Sequence, residues 1–188
     1  MRETDQKRGD KRMKWQRLPR EFFLRDAEIV AEELVGKLLV RQTESEMYFL
    51  RITETEVYKG ETDTACHASR GKTKRNAPLY EAGGRYYLYL CYGIHWLMNV
   101  VTGKEGEPQG VLIRACEGAE GPGKLTKALG IDGLFRGSDA EDETLYFVSD
   151  GAAPSICRKK RVGIGYASKE DQDRLWRFVA CAKRRENL

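Results

Sequence analysis

The sequence predicts a single mixed α+β domain in which strands outnumber helices. A length of 188 residues suits one domain with a sizeable core. A hydrophobic fraction of 40%, with 10% aromatic residues, is typical of a folded globule. Short β-prone segments separated by polar connections recur along the chain, whereas helical periodicity is confined to a few stretches.

The domain is assigned to residues 18–188, and residues 1–17 are predicted to form a basic, flexible tail because they are charged and lack periodicity. The first 20 residues carry a net charge of +5, and the other 168 residues sum to −1. Because the body of the domain is not basic, net charge alone does not indicate nucleic-acid binding. The tail could follow a polyanion or could simply be a disordered leader.

The first predicted helix follows Asp26, which suits an N-cap, and ends before Gly36, where a C-cap is expected. Its apolar positions recur at helical spacing: Ile29, Val30, Leu34 and Val35. Two strands, over residues 37–42 and 47–57, are predicted next and are joined as a hairpin.

The alternation of the second strand places a mixed set of side chains on one face: Ile52, Glu54, Glu56 and Tyr58. That face is either solvated or borders a cleft at the end of the strand. Solvation is the ordinary expectation for a lone strand glutamate. A partly desolvated Glu56, in contrast, would suit a general base.

A long polar connection covers residues 59–84, and irregular segments of this length in compact domains are usually functional or disordered. Its basic run makes Arg70 and Arg75 candidates for holding phosphates. Lys124, in the sequence Gly-Pro-Gly-Lys, is a third candidate. That sequence is not a P-loop, because it lacks the Walker spacing and no Ser or Thr follows the lysine directly.

A tyrosine-rich strand is predicted over residues 85–92, and a second strand follows over residues 95–102 after a glycine break. Tyr87 and Tyr89 share one face of the first strand and could stack a planar base. Aromatic rings on strands are also ordinary core material. Tyr92 stands at the strand's end, where a hairpin tip would project it outward.

Two polar residues interrupt apolar strands, Asn99 and Arg114, and buried polar groups need a partner or a ligand. The partner of Arg114 could be a carboxylate such as Glu56, or a phosphate. The remaining predicted elements are a strand over residues 111–115, a helix over 124–128 that Gly130 ends, a strand over 145–148 and a last strand near 176–179.

The five cysteines are odd in number and contain no CxxC, so no disulfide framework is expected and a reducing compartment fits. His67 and His95 are not at a spacing typical of zinc sites, so no metal site is predicted. No apolar signal segment or membrane-spanning stretch is visible, and we expect no membrane partner. A bacterial cytoplasmic protein associated with the nucleoid is the simplest expectation, or a nuclear one in a eukaryote.

Eight sequence blocks follow one another between about residue 18 and residue 180: Leu18-Pro19-Arg20-Glu21-Phe22-Phe23, Thr55-Glu56-Val57-Tyr58, Ala65-Cys66-His67-Ala68-Ser69-Arg70-Gly71, Arg75-Asn76, Tyr87-Leu88-Tyr89-Leu90-Cys91-Tyr92-Gly93, Met98-Asn99-Val100, Val111-Leu112-Ile113-Arg114-Ala115 and Gly121-Pro122-Gly123-Lys124-Leu125. Each block alone is weak, but eight in order are hard to obtain by chance. Together they resemble the alkyladenine (methylpurine) DNA glycosylase family. The sequence departs from that pattern at His95, where a tyrosine is expected.

The resemblance implies a curved antiparallel sheet, flanking helices and a protruding β-hairpin, with no metal or organic cofactor. It implies a monomer whose partner is double-stranded DNA that contains damaged purines. It also implies a monofunctional glycosylase of base excision repair, which flips alkylated or deaminated purines out of the duplex and leaves an abasic site.

Site residues carried over by the resemblance have distinct roles. Glu56 corresponds to the general base that activates water, and Arg114 to a partner that positions this water. Tyr92 corresponds to the residue that intercalates in the minor groove. Asn99 corresponds to the residue that rejects normal guanine by a clash with its amino group. The substrate-binding positions are Tyr58, His67, Tyr87 and Tyr89.

Three other classes of protein remain open at this point. A non-catalytic nucleic-acid-binding module would also use tyrosine strands and basic loops. A family member that flips lesions without cutting them is a second alternative, and a structural metal-binding domain built on the scattered Cys and His is a third. The preferred lesion among 3-methyladenine, 7-methylguanine, hypoxanthine and ethenoadenine does not follow from the residues.

Overall fold

Ten antiparallel strands dominate the computed structural model, which describes residues 15–181. They are β1 (Gln16–Arg17), β2 (Leu38–Gln42), β3 (Met47–Lys59), β4 (Tyr86–Cys91), β5 (His95–Val101), β6 (Gln109–Cys116), β7 (Ala119–Glu120), β8 (Leu145–Ser149), β9 (Ile156–Lys159) and β10 (Arg177–Ala180). The main order is β1-β8-β2-β3-β6-β5-β4; β10 pairs with β3 and β9, and β7 pairs with β6. The open antiparallel sheet and the flanking helices confirm the predicted α+β class.

Four short α-helices and three 3₁₀ helices flank the sheet. They are α1 (Arg20–Phe23), α2 (Ala27–Leu34), α3 (Pro122–Ala128) and α4 (Lys169–Asp173), with 3₁₀ turns at His67–Arg70, Ala77–Tyr80 and Gly133–Phe135. Within residues 15–181, none of the helices is both long and apolar enough to cross a membrane.

The predicted cap residues of α2 are confirmed. The Asp26 side chain accepts a hydrogen bond from the Glu28 N–H at 2.9 Å, and Gly36, just beyond the helix, has a φ of +92°. Ile29 was expected on the apolar face but is half exposed. The buried face consists of Ala27, Val30, Ala31 and Leu34. Ile29 lies about 100° from Val30 around the helix axis, which turns it towards solvent.

The hairpin of β2 and β3 was predicted, and it is confirmed with the pairing Leu38 to Arg51 through Gln42 to Met47. The predicted alternation of β3 is wrong at one position. Register shifts between Ile52 and Thr55 interrupt the pleat, so Ile52 joins the hydrophobic core. Because a β-bulge changes which face the following residues occupy, Glu54 and Glu56 face away from that core.

The two faces of the sheet around β3 have different environments. Helix α2 covers one face, where the Thr55 hydroxyl donates to the Ala31 carbonyl oxygen at 2.8 Å. Glu56, the next residue, points to the opposite face. The connection 60–80 and the segment 161–175 cover that second face, since side chains from both pack against Tyr58.

The predicted break between β4 and β5 is a tight turn. The Ile94 N–H donates to the Cys91 carbonyl at 3.0 Å, and both central residues, Tyr92 and Gly93, have positive φ values of 50° and 70°. Two left-handed residues are what a type I′ turn requires, and this turn matches the twist of a two-stranded ribbon. The hairpin tip exposes 91% of Tyr92.

The predicted start of the domain lies two residues too late. Most of the predicted tail, residues 1–14, lies outside the described residues, as do residues 182–188. Residues 16 and 17 were assigned to the tail, but they form β1 and pair with Ser149 and Val148 of β8. Strand β9 and helices α1 and α4 were not predicted, because each is short and lacks a clear hydrophobic period.

One disulfide bond contradicts the expectation drawn from the cysteine count. Cys157 and Cys181 are joined, with their Cα atoms 5.8 Å apart, and Cys66, Cys91 and Cys116 are free. The pairing of β9 with β10 brings the two cysteines together across 24 residues of chain. Their spacing in the sequence could not reveal this pairing, because β9 itself was not predicted.

We predict that Gly83→Ala destabilises the fold, because the start of β4 packs tightly on the end of α1. A Cβ atom at Gly83 would lie 2.1 Å from the Phe23 carbonyl oxygen and 2.6 Å from its carbon. Overpacking of this kind costs about 1–3 kcal/mol. Urea unfolding should measure the loss. The control is Gly165→Ala, where no atom lies within 4 Å of the added Cβ and the expected change is within about 0.5 kcal/mol. Equal stabilities of the two variants would contradict the prediction.

Candidate active site

Strand pairing aligns several polar and aromatic residues in one row across the sheet. Tyr87 pairs with Asn99, Asn99 with Leu112, Leu112 with Glu56, and Glu56 with Arg177. Residues paired across a sheet share a face. The row therefore joins three residues that were predicted separately, and we call this side of the sheet the site face.

Glu56 is the most enclosed carboxylate of the site face, with no exposed side-chain surface. The Val162 N–H donates to its Oε1 at 2.8 Å, and the Tyr58 hydroxyl donates to its Oε2 at 3.0 Å. The ordinary expectation of a solvated strand glutamate is therefore wrong. Burial raises the pKa of the Glu56 carboxyl, while the Arg114 charge and the two hydrogen bonds oppose that rise.

Arg114 reaches Glu56, but its nearer partner is Glu54. The Arg114 Nε lies 2.8 Å from Glu54 Oε1 and 3.5 Å from Glu56 Oε1. Arg177 Nη1 donates to the same Glu54 oxygen at 3.0 Å. The prediction of a carboxylate partner for Arg114 is confirmed, and Glu54 is added to it. Two arginines and two carboxylates thus balance their charges on this part of the site face.

Four aromatic side chains gather beside Glu56: Tyr58, His67, Tyr87 and Tyr89. The ring centroids of His67 and Tyr89 are 4.5 Å apart in an edge-to-face arrangement, and those of Tyr87 and Tyr89 are 5.7 Å apart. Tyr58 and Tyr89 pack on one hydrophobic cluster that includes Tyr87. All four residues that the sequence singled out for base binding are therefore neighbours.

The electrostatic state of this cluster is neutral. His67 Nδ1 and the Tyr87 hydroxyl are 2.8 Å apart and form a hydrogen bond. Burial and the nearby Arg75 charge lower the pKa of His67, which favours the uncharged imidazole at neutral pH. Burial raises the pKa of Tyr87 to about 12, so its hydroxyl keeps its proton. The cluster consequently presents aromatic faces without a net positive charge.

Asn99 is almost completely buried in β5, as its place in an apolar strand predicted. Its Nδ2 donates to the Tyr87 carbonyl oxygen at 3.1 Å. This bond fixes the amide on the site face between β4 and β6. The hydrogen-bond partner that a buried Asn99 needs is therefore the backbone carbonyl group of Tyr87.

The three basic residues predicted to hold phosphates lie at different places. Arg70 ends the 3₁₀ turn His67–Arg70 and is exposed. The Arg75 guanidinium lies 5.8 Å from the centre of the Tyr89 ring, beside the aromatic cluster. Lys124 is exposed in the first turn of α3. The preceding residue, Gly123, abuts the His95 side chain next to the tip of the β4–β5 hairpin.

Some contributors to the site face were not predicted. The Val162 N–H is a backbone group, and no side-chain motif could have revealed it. Tyr166 donates its hydroxyl to the Ala65 carbonyl at 3.1 Å, and its neighbouring acid–base groups include Cys66 and Cys91. The sequence shows a basic run just before Val162, Arg158-Lys159-Lys160-Arg161, but this run does not indicate a contact with Glu56. Among residues 15–181, no group of three or more His, Cys, Asp and Glu side chains is placed to hold a metal ion.

Comparison with known proteins gives consistent matches. The sequence profile of the Methylpurine-DNA glycosylase family matches residues 21–120 and 117–184. A protein of Borreliella burgdorferi is 42% identical over 175 residues, with 86% of this chain and 94% of the relative covered. A protein of Desulfitobacterium hafniense is 41% identical over 191 residues with the same coverage. A third, from Methanocella arvoryzae, is 42% identical over 182 residues and covers 86% and 90%. Each is named "Putative 3-methyladenine DNA glycosylase".

These similarities extend over most of the chain and include every strand of the site face. They define the class of protein as a DNA glycosylase, a hydrolase that acts on N-glycosyl bonds in the repair of alkylated DNA. Within that class the chain belongs to the methylpurine-DNA glycosylase family. The family suggested by the eight sequence blocks is thereby confirmed, and DNA is the partner it implies.

We predict that Arg114→Gln raises the pKa of Glu56 further, because the Arg114 charge is the largest influence that lowers it. The measurement is a pH titration of the Glu56 side-chain carboxyl by ¹³C NMR. Arg158→Gln is the control, since Arg158 pairs with Glu32 on the surface. An unchanged titration in Arg114→Gln would show that the two groups are not electrostatically coupled.

Proposed function

We propose that this enzyme flips alkylated or deaminated purines out of duplex DNA and hydrolyses their N-glycosidic bond with a water molecule that Glu56 activates. The product would be an abasic site, and the enzyme would act as a monomer in the bacterial cytoplasm or, in a eukaryote, in the nucleus. The observation that carries the proposal is the buried Glu56 carboxylate beside four aromatic side chains on one sheet face.

The setting of Glu56 supports a role as general base. Hydrolysis of an N-glycosidic bond passes through an oxocarbenium-like sugar, which a nearby carboxylate stabilises while it takes a proton from water. Burial raises the pKa of Glu56 towards the working pH, which makes it a better proton acceptor. Oε1 and Oε2 are oriented by one hydrogen bond each. Arg114, whose Nε lies 3.5 Å from Oε1, would orient the attacking water.

The aromatic cluster supports selection of damaged purines by charge. N-alkylation at positions 3 or 7 makes a purine cationic, and tyrosine faces attract cations through their quadrupoles. A neutral His67 adds no repulsion against such a base. Tyr58, Tyr87, Tyr89 and His67 would therefore enclose a flipped cationic base without reading its hydrogen-bonding edge. 3-Methyladenine, the base in the names of the relatives, belongs to this class.

Neutral lesions require more from the site. Hypoxanthine carries no charge that would favour stacking on tyrosine, so its excision needs protonation of the leaving group. Asn99 would discriminate between purines by excluding the exocyclic amino group of guanine. The Asn99 amide donates a hydrogen bond to the Tyr87 carbonyl, which would prevent the side chain from moving aside for that amino group.

The β4–β5 hairpin supports entry into the duplex. Tyr92 exposes 91% of its surface at the tip, where an aromatic ring can fill the gap that a flipped base leaves. DNA phosphates would be held by three basic side chains: Arg70, Arg75 and Lys124. Phosphate contacts of this kind make binding depend on salt.

We predict that Glu56→Gln lowers the single-turnover rate of excision by at least about 10²-fold, the contribution of a general base. The substrates are duplexes that carry 3-methyladenine or hypoxanthine. Glu54→Gln is the matched comparison, because it removes a carboxylate from the same face that contacts Arg114 and Arg177. We expect a smaller loss in that variant.

Binding to the lesion duplex should be retained by Glu56→Gln. Wild-type excision with full activity in Glu56→Gln would overturn the proposed base. Tight lesion binding by a wild-type enzyme that releases neither base would instead favour a family member that flips lesions without cutting them.

We predict that Tyr92→Ala lowers excision from duplex DNA by roughly 10- to 100-fold, since the wedge offsets an unstacking cost of a few kcal/mol. Excision from the same sequence as a single strand should change little. Ile29→Ala, which also shortens an exposed apolar side chain but lies on α2, is the control. Equal losses on both substrates would argue against a wedge.

A further inference from the structure

Arg161 is a charged residue buried deep beside the site face. Its side chain has no exposed surface, and its partner Asp63 exposes only 1%. Two parallel hydrogen bonds join them, from Nη1 to Oδ2 at 2.6 Å and from Nη2 to Oδ1 at 2.8 Å. Buried ion pairs rarely stabilise a fold more than apolar residues of the same size would, because both charges lose their hydration. The contacts of this pair suggest a role other than stability.

The pair contacts β3 and the residue that precedes β10 at three points. Arg161 Nη1 donates to the Val57 carbonyl at 2.8 Å, between the positions of Glu56 and Tyr58 on β3. The guanidinium carbon lies 4.9 Å from the centre of the Tyr58 ring and 5.1 Å from that of Trp176. The next residue along the chain is Val162, whose N–H binds Glu56 Oε1.

Asp63 extends the same unit to the aromatic cluster. Its Oδ2 accepts from the Lys59 N–H at 3.2 Å, and its Oδ1 accepts from the Ala65 N–H at 3.1 Å. Its carbonyl oxygen accepts from the Cys66 N–H at 2.9 Å. These bonds shape the turn that leads from the end of β3 to His67.

We propose that Arg161, held by Asp63, is a positioning residue that presents the Val162 N–H to Glu56 and supports Tyr58 from within the protein. The inference rests on the proposed function of Glu56 as general base. A bidentate arginine suits this task because its planar fork fixes two carboxylate bonds to Asp63 and two carbonyl bonds, to Val57 and to Asp171 at 3.3 Å, at defined angles. Arg161 and Val162 are consecutive residues, so the two bonds to β3, at the Val57 carbonyl and at Glu56 Oε1, come from one short segment.

The inference has a consequence for pH dependence. The charged and titratable groups facing Glu56 are Arg114 from β6, Glu54 and Tyr58 from β3, and Tyr89 from β4, with Arg177 of β10 next to Glu54. The Val162 N–H is a further group that lowers the pKa of Glu56. When Arg161 no longer holds Val162 in place, the carboxyl group loses this bond and retains its proton to higher pH. The acid limb of the pH–rate profile should then shift to higher pH.

The test uses a double variant that removes the buried pair without leaving one charge alone, Arg161→Gln with Asp63→Asn. Arg161→Lys is the conservative variant, since one ammonium group cannot span both Asp63 oxygens and the Val57 carbonyl. Arg158→Gln is the matched control, because Arg158 also pairs with a carboxylate and stacks on Phe178, but on the far side of β10. Single-turnover excision is measured across pH 5 to 9, with thermal unfolding beside it.

For the folded double variant we expect excision to fall about 10- to 100-fold at neutral pH, the size of effect that a displacement of about 1 Å causes. Its acid limb should lie at higher pH than that of the wild type, and Arg161→Lys should lie between the two. Arg158→Gln should match the wild type. A folded double variant with the wild-type rate and acid limb would overturn the inference, as would an equal loss of rate at every pH.

A second readout separates this inference from the proposed function. The pKa of Glu56, measured by ¹³C NMR, should rise in the double variant whether or not Glu56 is the catalytic base. If Glu56→Gln keeps full activity, Glu56 is not the general base, but the pKa result for the double variant still holds. An unchanged Glu56 pKa in the double variant would refute the role of Arg161 and leave the base standing.

Discussion

The Glu56 carboxylate is buried in a largely apolar sheet, and much of the surrounding structure supplies the hydrogen bonds and positive charge that it needs. An unpaired buried charge is costly, so Glu56 requires donors on both oxygens and a cation within reach. Tyr58, Val162 and Arg114 provide them from β3, the C-terminal segment and β6. Glu54 in turn holds Arg114 and Arg177, which prevents either arginine from neutralising Glu56 completely. The result is a buried carboxylate whose pKa is raised.

The same demand explains why two kinds of chemistry share one face. Aromatic rings exclude water and so raise the proton affinity of Glu56, and they also form the surface on which a planar base can stack. The same surroundings and the Arg75 charge lower the pKa of His67. Under the proposed function, recognition of the base and activation of water would depend on the same desolvation.

Local patterns in the sequence predicted the elements whose signals are local. The capped helix after Asp26, the hairpin of β2 and β3, and the tyrosine strand with its glycine turn all follow from residues within one element. The site residues came from the resemblance in eight blocks, and the structure brings most of them together on one face. What escaped prediction depends on distant pairing: the bulge beside Ile52, the disulfide from Cys157, and the Val162 N–H.

The bond between Val162 and Glu56 spans 106 residues of sequence. During synthesis on the ribosome, the strand that carries the carboxylate emerges long before the segment that completes its coordination. Until residues 161–177 are available, Glu56 lacks the Val162 donor and β3 lacks its pairing with β10. Domains with such distant contacts fold late and slowly. Nascent chains of this enzyme should therefore remain open until translation is nearly finished, and a chain that stops before residue 161 should lack a stable native state altogether.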